Sequence, residues 1–427
     1  MTEFLNYLNR KITKKLAVVL LIPLSGFTQT LTLEQANELA RKNYPLFKQK
    51  ELITQTEQLT IENLSKGYFP QLNITGQASY QSEVTKVEVP IPGFQVPSLS
   101  KDQYKIVADV NQVIFDGGAI KQQKIVQKLN ANVEQQKLEV ELYRLKERVN
   151  QVFFGILLME EQINLLKIAQ ADLQAGLKRV QAQVDNGTAL RSNLNSLKAE
   201  LLKTDQRFLE LKENKSSLLA ALGLLTGTQP SENAILIKPV ITSNDGTGMD
   251  RPELKMFQGQ TKLIAQQNKL IDVKLLPKFS GFFQGGYGRP GLNFLKNDFT
   301  TYYLSGLRLN WQLSNFYSSS KERRLLKLSM TSVDLQKETF LLNTNIQLQQ
   351  QELEIQKWKK LIDADREIIS LRTSIKEAAK AQLDNEVITA TDYIREVNAE
   401  DQAKHTLATH QLQLLQSQVN YQIILGK

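Results

Sequence analysis

Two histidines and a few neighbouring carboxylates are the side chains that could support acid/base or metal chemistry. His405 and His410 lie five residues apart on a predicted helix, whereas two ligands on one face of a helix need a spacing of four residues. We interpret both histidines as solvated helix residues. The carboxylates of Glu160–Glu161, Asp363 and Asp365 lie in helical patterns beside basic residues, which is typical of solvated helix faces. The sequence therefore predicts no catalytic site, no metal site and no enzyme activity.

Two glycine-rich stretches are the remaining candidates for ligand chemistry. A phosphate-binding loop continues into Lys-Ser/Thr and a helix, but neither Gly281–Gly286 nor Gly117–Gly118 does so. Both lie in or beside strand patterns, where glycine bends a strand or admits a crowded neighbour. The chain contains no cysteine, which excludes disulfides, thiol chemistry and thiolate metal sites. We expect no cofactor.

The charge distribution argues against nucleic-acid binding. The formal net charge is +9 and the sequence pI is about 9.3. A nucleic-acid-binding protein gathers its basic residues into a patch or stripe, whereas here the charges are interspersed along helical patterns. This arrangement indicates solvated helix faces, and we expect no nucleic-acid partner.

Residues 1–28 are predicted to be a signal peptide. A basic beginning ends at Lys14 and Lys15, and the nine-residue apolar run Leu16–Leu24 follows. The run is too short to span a bilayer, which takes about 20 apolar residues, and its context is that of a secretory signal. The rest of the sequence predicts no transmembrane helix.

The longest pattern in the chain is a heptad repeat. From Leu142 to Val184 apolar residues alternate at spacings of three and four, broken once at Gln170. Such spacing predicts a helix packed side by side with a partner in a coiled coil. A turn at 185–188 separates this pattern from a second seam that begins at Leu190. Two seams joined by a short turn predict an antiparallel hairpin.

The chain is internally duplicated. The offset between matching positions is 207 residues near the two prolines of each copy, and 199 residues downstream of them. An offset held over several separate regions predicts a repeat architecture. The matches are Pro45 with Pro252, Pro70 with Pro277, Asn111 with Asn310, 182–186 with 381–385, and Gly227 with Gly426.

The duplication predicts two structural repeats, 29–230 and 251–427, joined by a linker at 231–250. Each repeat is expected to contain a helix, two strands, a long helix and a return helix. In the first repeat these are 31–67, 72–82, 103–115, 119–184 and 189–225; in the second they are 251–275, 278–288, 301–313, 318–383 and 388–425.

The predicted strands alternate between apolar and polar residues. In the first strand Leu72, Ile74 and Tyr80 share one parity, while Asn73 and Thr75 share the other. Strands of this kind have one apolar and one wet face. They could form two surface hairpins buried against protein, or they could cross a bilayer, which takes about 9 to 11 tilted residues. Four strands cannot close a barrel, so membrane strands would need two copies (eight strands) or three (twelve).

The order of these elements resembles the TolC family of outer-membrane efflux proteins, the outer membrane factors, over essentially the whole mature chain. Local motifs are similar too: Tyr68–Pro70 enters the first strand, Gln112–Gly118 leaves the second, and an Asp-Asn-Gly turn ends the long helix at 185–187. The resemblance implies a mainly α protein with membrane β-strands. The implied homotrimer would close a 12-stranded β-barrel in outer-membrane lipid, continued by an α-helical barrel.

The resemblance also implies the function and location. Such a trimer is a passive exit duct in the outer membrane of a Gram-negative bacterium, with its helical tunnel in the periplasm. It would dock onto a periplasmic adaptor (membrane fusion protein) and an inner-membrane transporter, and export drugs, metals, other small molecules or proteins. The alternatives are a periplasmic adaptor, expected to have one hairpin flanked by compact β domains, and a structural coiled coil, expected to lack strand pairs.

A periplasmic gate is implied at the tip of the second hairpin. The stretch 386–394 resembles the family's gate motif, which places a ring carboxylate at Asp392. Arg395 stands where the family often has a second acidic residue, and Asn193 matches Asp392 in the first repeat. Asp392 and Arg395 are i, i+3 neighbours. The alternative is therefore an exposed ion pair with no gating role.

Adaptor docking is implied at the two hairpin tips. The second turn has Glu386 where the first has Gly187, so the two tips differ at the position best suited to positive φ. The residues predicted to contact the adaptor are Asp185, Asn186, Gly187, Leu190, Asp384, Asn385 and Val387.

Overall fold

The computed structural model describes residues 30–85, 98–228, 230–231, 234–241, 248–385 and 387–427. The predicted signal peptide, most of the proline-rich loop after the first strand, part of the predicted linker and Glu386 lie outside the described residues. The predicted fold class is confirmed at the level of the chain, which is mainly helical with four long strands.

Seven α-helices and six strands are present in the described part of the chain. The helices are α1 (Leu33–Asn43), α2 (Gln49–Ser65), α3 (Ala119–Asp185), α4 (Arg191–Thr226), α5 (Pro252–Lys274), α6 (Asn315–Asp384) and α7 (Ala390–Leu425). The strands are β1 (Thr30–Leu31), β2 (Gln71–Tyr80), β3 (Asp102–Phe115), β4 (Ile235–Leu236), β5 (Lys278–Arg289) and β6 (Thr300–Asn310). Short 3-10 turns at Pro45–Lys48 and Lys66–Tyr68 flank α2.

The prediction of one helix over 31–67 was wrong. Tyr44 has an extended backbone with ψ of 127° and separates α1 from the turn that begins at Pro45. Proline lacks an amide hydrogen and disfavours the helical conformation in the residue before it. In addition, Thr30–Leu31 pairs in parallel with Ile235–Leu236, within the predicted linker. The segment predicted as one helix therefore contains two helices, α1 and α2, and its first residue belongs to a small two-stranded sheet.

The fourth long strand is shorter than the predicted segment 301–313. It ends at Asn310 because Asn310 pairs with Lys278, the first residue of β5, and no further partner follows. The Trp311 indole N–H instead donates to the carbonyl of Leu275 at 3.0 Å. This bond ties the end of the strand to the end of α5.

The four long strands form one antiparallel sheet in the order β2-β3-β5-β6. The register pairs Ile74 with Ala108 and Val110 with Phe283, so the apolar parities of neighbouring strands coincide. We call this side the apolar face and the side that carries Thr75 the polar face. Within the described chain, β2 and β6 each have one edge without a strand partner.

The chain divides into two compact units, and each draws on both predicted repeats. One contains the described residues of 30–40, Val149–Ile241 and Leu361–Leu415; the other contains those of Arg41–Arg148, 248–360 and Gln416–Lys427. The first unit holds the hairpin turns, and the second holds the four-stranded sheet. Among the described residues, no helix is long and apolar enough to cross a membrane.

Candidate functional site

The hairpin tips rest on a core contributed by four helices of the first unit. Buried residues of α3, α4, α6 and α7 pack together there, and they include Leu173, Leu197, Leu383 and Tyr393. The Tyr393 ring lies over Gly176, where an added Cβ would be 3.4 Å from the ring. Burial raises the pKa of the Tyr393 hydroxyl. This core holds both turns in fixed positions relative to one another.

The first turn ends α3 with a Schellman motif. Gly187 has a φ of +75°, its N–H donates to the Val184 carbonyl at 3.0 Å, and the Thr188 N–H donates to the Gln183 carbonyl at 2.8 Å. These two bonds satisfy carbonyls that the end of a helix leaves free. Glycine adopts this left-handed conformation without steric cost, which explains its presence at the predicted docking turn.

The second turn repeats one of these bonds at the offset of 199 residues. The Val387 N–H donates to the Gln382 carbonyl at 2.8 Å. The Asn385 side chain donates to the Ala381 carbonyl at 2.8 Å, and Arg179 of α3 donates to both carboxylate oxygens of Asp384 at 3.1 and 3.2 Å. An ion pair thus joins the end of α6 to α3 beside the turn.

Both tips expose an apolar side chain. Leu190 is 71% exposed and Val387 is 69% exposed. The predicted docking residues Asp185 and Asn186 are also exposed, and Asp185 accepts a hydrogen bond from Gln181 at 2.8 Å. Exposed apolar residues on an ordered turn are available to a partner.

Asp392 is part of a capping box at the start of α7. The Asp392 N–H donates to Thr389 Oγ1 at 3.2 Å, while the Thr389 N–H and hydroxyl donate to Asp392 Oδ2 at 3.2 and 2.7 Å. These are the reciprocal bonds of the T-x-x-D signature at a helix N-terminus. They lower the pKa of the Asp392 carboxyl, with a smaller contribution from Arg395. The sequence contained this signature, and the prediction overlooked it.

The two other predicted gate residues differ in their surroundings. Arg395 contacts Asp392 at 3.6 Å and Glu396 at 3.1 Å. Asn193 lies in the first turn of α4, where its N–H donates to the Leu190 carbonyl at 3.0 Å. The N-cap residue of α4, Leu190, makes no side-chain capping bond. The structure therefore brings Asp392 and Arg395 together, and the two hairpins have unlike helix starts.

A charged cluster connects three helices above the second turn. Lys376 of α6 contacts Asp172 of α3 at 3.0 Å and Glu400 of α7 at 2.7 Å. Glu400 also accepts from Thr373 at 2.7 Å and contacts Lys404 at 3.0 Å. The Glu400 side chain is only 5% exposed. Its charged form is therefore stable only because these partners compensate the buried charge. Sequence spacing indicates the i, i+4 pair Glu400–Lys404 on α7. It contains no signal for the contacts of Lys376 with Asp172 and Glu400, because these residues lie on separate helices.

The cluster shifts the pKa values of both central groups. Burial acts to raise the pKa of Glu400, but hydrogen bonds from Lys376, Thr373 and Lys404 outweigh it and lower the pKa. Burial acts to lower the pKa of Lys376, but its bonds to Glu400 and Asp172 outweigh it and raise the pKa. Both charged forms are therefore favoured by folding.

We expect Glu400→Gln to lower the free energy of unfolding at neutral pH by about 1.5 to 3 kcal/mol, because a charge-assisted network is lost. The wild-type Glu400 pKa is lowered, so its stabilisation is present above the ordinary carboxyl range and is lost as pH falls through the folded-state pKa. Thermal melts of both proteins would be recorded between about pH 3 and pH 8, a range that brackets carboxyl titration. The two melting temperatures should converge at the acid end. A gap independent of pH would contradict this assignment.

The interpretation of the histidines and Asp365 as solvated was wrong. His405 is 3% exposed and Asp365 is 7% exposed. His410 Nδ1 lies 2.6 Å from Asp365 Oδ2, which joins α7 to α6. The described residues contain no group of histidine and carboxylate side chains placed to hold a metal ion. The pair belongs to helix packing in this structure.

The comparisons with known proteins point to one family and one fold. The sequence model of the family described as outer membrane efflux protein matches residues 37–228. No curated protein sequence matches the chain.

Three solved structures are similar to the chain over 92% of its length. The outer membrane protein VceC from Vibrio cholerae is 12% identical, with a TM-score of 0.65 and 94% of its chain covered. The CmeC outer membrane channel from Campylobacter jejuni is 15% identical, with a TM-score of 0.64 and 85% covered. The open MtrE outer membrane channel from Neisseria gonorrhoeae is 12% identical, with a TM-score of 0.66 and 88% covered. At these identities the likeness establishes a shared fold.

Proposed function

We infer that the chain belongs to the outer membrane efflux protein family, whose sequence pattern it carries over residues 37–228 and whose fold it shares along nearly its whole length. It is an outer-membrane exit duct of a tripartite efflux system, with a helical tunnel in the periplasm. The alternatives of a periplasmic adaptor and a structural coiled coil are not favoured.

The observation that carries this function is the two-sided sheet with open edges. On its apolar face Leu72, Ile74 and Leu307 are 65%, 65% and 80% exposed. A sheet of this kind needs a hydrophobic environment on one side and water on the other. Unpaired strand edges are not tolerated in lipid, so β2 and β6 require partners from other copies of the chain.

The exposed face of α6 supports assembly into a trimer. Six apolar residues recur along it at spacings of three, four and seven, and each is 46–63% exposed. A helix stripe of this length is normally covered by a neighbouring helix. We propose that three copies cover these stripes and close twelve strands into a barrel. The stripe residues are Leu325, Leu328, Leu335, Leu342, Ile346 and Leu353.

The tips support docking to a periplasmic adaptor that recruits an inner-membrane transporter. Leu190 and Val387 would insert into the adaptor, and the ordered turns at 185–187 and 384–385 would set their positions. Because a duct of this kind does no chemistry, transport through it is passive. The cargo class is that of the attached transporter: drugs, metals, other small molecules or proteins.

The experiment that tests this function compares two arginine substitutions. We expect Ile74→Arg to destabilise the assembled protein by up to about 2–4 kcal/mol, because it places a charge on the lipid face, whereas Thr75→Arg should be mild. Outer-membrane fractions would be analysed for a heat-sensitive trimer by gel electrophoresis. Equal trimer yields from both variants, or a wild-type protein absent from the outer-membrane fraction, would contradict the proposal.

We further propose that Asp392 contributes a carboxylate ring to a gate at the periplasmic mouth. The proposal rests on the resemblance of 386–394 to the family motif and on the capping bonds from Thr389, which fix the direction of the carboxylate. Because Asn193 stands at the matching position, a trimer would present three carboxylates at this level. Like charges that converge in a narrow mouth attract cations.

We expect Asp392→Asn to lower cation selectivity and block by multivalent cations, by about threefold or more, because a focused negative potential is lost. Conductance of the trimer in planar bilayers measures both quantities. Thr389→Ala is the matched control, since it removes the two bonds of the Thr389 hydroxyl but keeps the backbone N–H bond to Asp392 and the Asp392 charge. If both variants change selectivity equally, or neither does with the trimer intact, Asp392 serves as a helix cap and ion-pair partner only.

A further inference from the structure

The polar face of the four-stranded sheet carries more positive than negative charge. Strand parity and register place Lys105, Lys278 and Arg308 on this face, with Asp109 as the one carboxylate of the described strands that shares it. Asp109 accepts a hydrogen bond from the Gln284 amide on the neighbouring strand. On this face the described strands of each chain therefore present three basic residues against one acidic residue.

On the apolar face the charged residues are paired with each other. Its charged strand residues are Asp102 and Arg289, at the loop end of the sheet, and they pair with each other. The Arg289 guanidinium carbon also lies 5.3 Å from the centroid of the Phe299 ring. On this side the two opposite charges offset each other, so the surplus of positive charge belongs to the polar face alone.

Two of the basic residues lie together at the end of the sheet that adjoins the helices. Lys278 pairs with Asn310, and Ser280 pairs with Arg308, so Lys278 and Arg308 are diagonal neighbours on adjacent strands. Such neighbours lie on the order of 7 Å apart. Both side chains are exposed. We call these two residues the basic pair.

The surroundings of the basic pair leave its charge uncompensated within the strands. Across the sheet at this level, the residues on the polar face are Val113 and Asn111 of β3 and Gln71 of β2, none of which is acidic. The Arg308 guanidinium lies over the Phe282 ring, 4.8 Å from its centroid. A cation–π contact orients the guanidinium and leaves its charge in place.

We propose that the basic pair forms an anion-binding girdle within the barrel, which holds small molecules that carry carboxylate, phosphate or sulfonate groups and raises the anion share of the current, independently of the ring at Asp392. This inference rests on the proposed duct, in which the polar face lines the lumen. Three copies would place six cations in one ring where the helical tunnel meets the barrel. Rings of Arg and Lys select anions in pores, and arginine binds anionic oxygens through paired hydrogen bonds.

The test uses the purified full-length trimer in planar bilayers. The reversal potential in a KCl gradient measures chloride over potassium permeability, and sodium triphosphate added on the barrel side serves as the anionic probe. We expect wild type to be blocked by triphosphate, and Lys278→Gln/Arg308→Gln to need about tenfold more of it and to pass less chloride, since the paired contacts are gone. Lys278→Arg/Arg308→Lys keeps both charges and should behave as wild type.

The outcomes separate this inference from the function it rests on. A purified trimer that forms no conducting pore would contradict the duct itself. A conducting pore whose chloride permeability and triphosphate block are unchanged in Lys278→Gln/Arg308→Gln would overturn the girdle and leave the duct standing. If that variant does not assemble, the wild-type trimer provides the test. Triphosphate block from the barrel side that weakens with rising salt concentration would support the girdle, and absence of triphosphate block would overturn it.

Discussion

Glu253→Ala should destabilise the protein by about 3–5 kcal/mol, because removing one partner of a buried ion pair leaves the other charge uncompensated. The Arg251 and Glu253 side chains are 11% and 10% exposed, and two hydrogen bonds of 3.0 and 2.7 Å join them. The Arg251 guanidinium also lies 4.8 Å from the Tyr143 ring centroid and 5.6 Å from that of Phe340. Water cannot replace the missing carboxylate in such a setting.

A matched control lies two residues further along α5. Lys255 pairs with Asp250 at 2.8 Å, but these side chains are 57% and 70% exposed. Lys255→Ala should therefore change stability by about 0–1 kcal/mol. Thermal unfolding of the detergent-solubilised proteins, followed by circular dichroism, would compare the two. If both variants melt within a degree or two of wild type, the buried pair contributes little and its role has been misjudged.

Ile156→Asp should destabilise the protein by about 4 kcal/mol or more, since it combines a lost apolar side chain with an unpaired buried carboxylate. Ile156 lies in the heptad seam of α3 and is 0% exposed. The measurement is the same thermal melt, together with the yield of the proposed trimer.

The break in the seam, Gln170, is a poor control for this experiment. Its amide donates to Asp205 Oδ1 at 2.5 Å, so an aspartate there would place two carboxylates side by side. Gln174, which is exposed on the same helix, is the better choice, and Gln174→Asp should be nearly neutral. Similar losses at 156 and 174 would show that the assigned seam does not face the core.

Local periodicity predicts the long helices and the strands, and the offsets of 207 and 199 residues between matching positions predict their duplication. The heptad spacing around Ile156 predicts a packed helix, because 3.5-residue repeats keep one stripe facing a partner. The alternation at Leu72 and Ile74 predicts a two-sided strand, because successive side chains point to opposite faces. Residues close in sequence carry both signals. The resemblance to the efflux family rests on them. The sequence model of that family matches residues 37–228, and the chain shares its fold with solved outer membrane channels.

Two further local signals in the sequence, a proline and a capping box, agree with the structure but did not enter the predictions. Pro45 should have ended the first helix, because the residue before proline avoids the helical conformation. The spacing of Thr389 and Asp392 is that of a capping box. At Pro45 the local rule competed with the apolar periodicity of the predicted helix. At Thr389 and Asp392 it competed with the resemblance to the gate motif.

Only the tertiary structure decided how distant residues meet. The pairing of Thr30–Leu31 with Ile235–Leu236 and the contacts of Lys376 with Asp172 and Glu400 link residues from 24 to 205 positions apart. Such contacts depend on the rotation and axial position of whole helices, which no spacing within one helix specifies. The same holds for His410, whose partner Asp365 lies on another helix. Periodicity specifies which face of an element is buried, whereas the neighbour on that face follows from packing the complete chain.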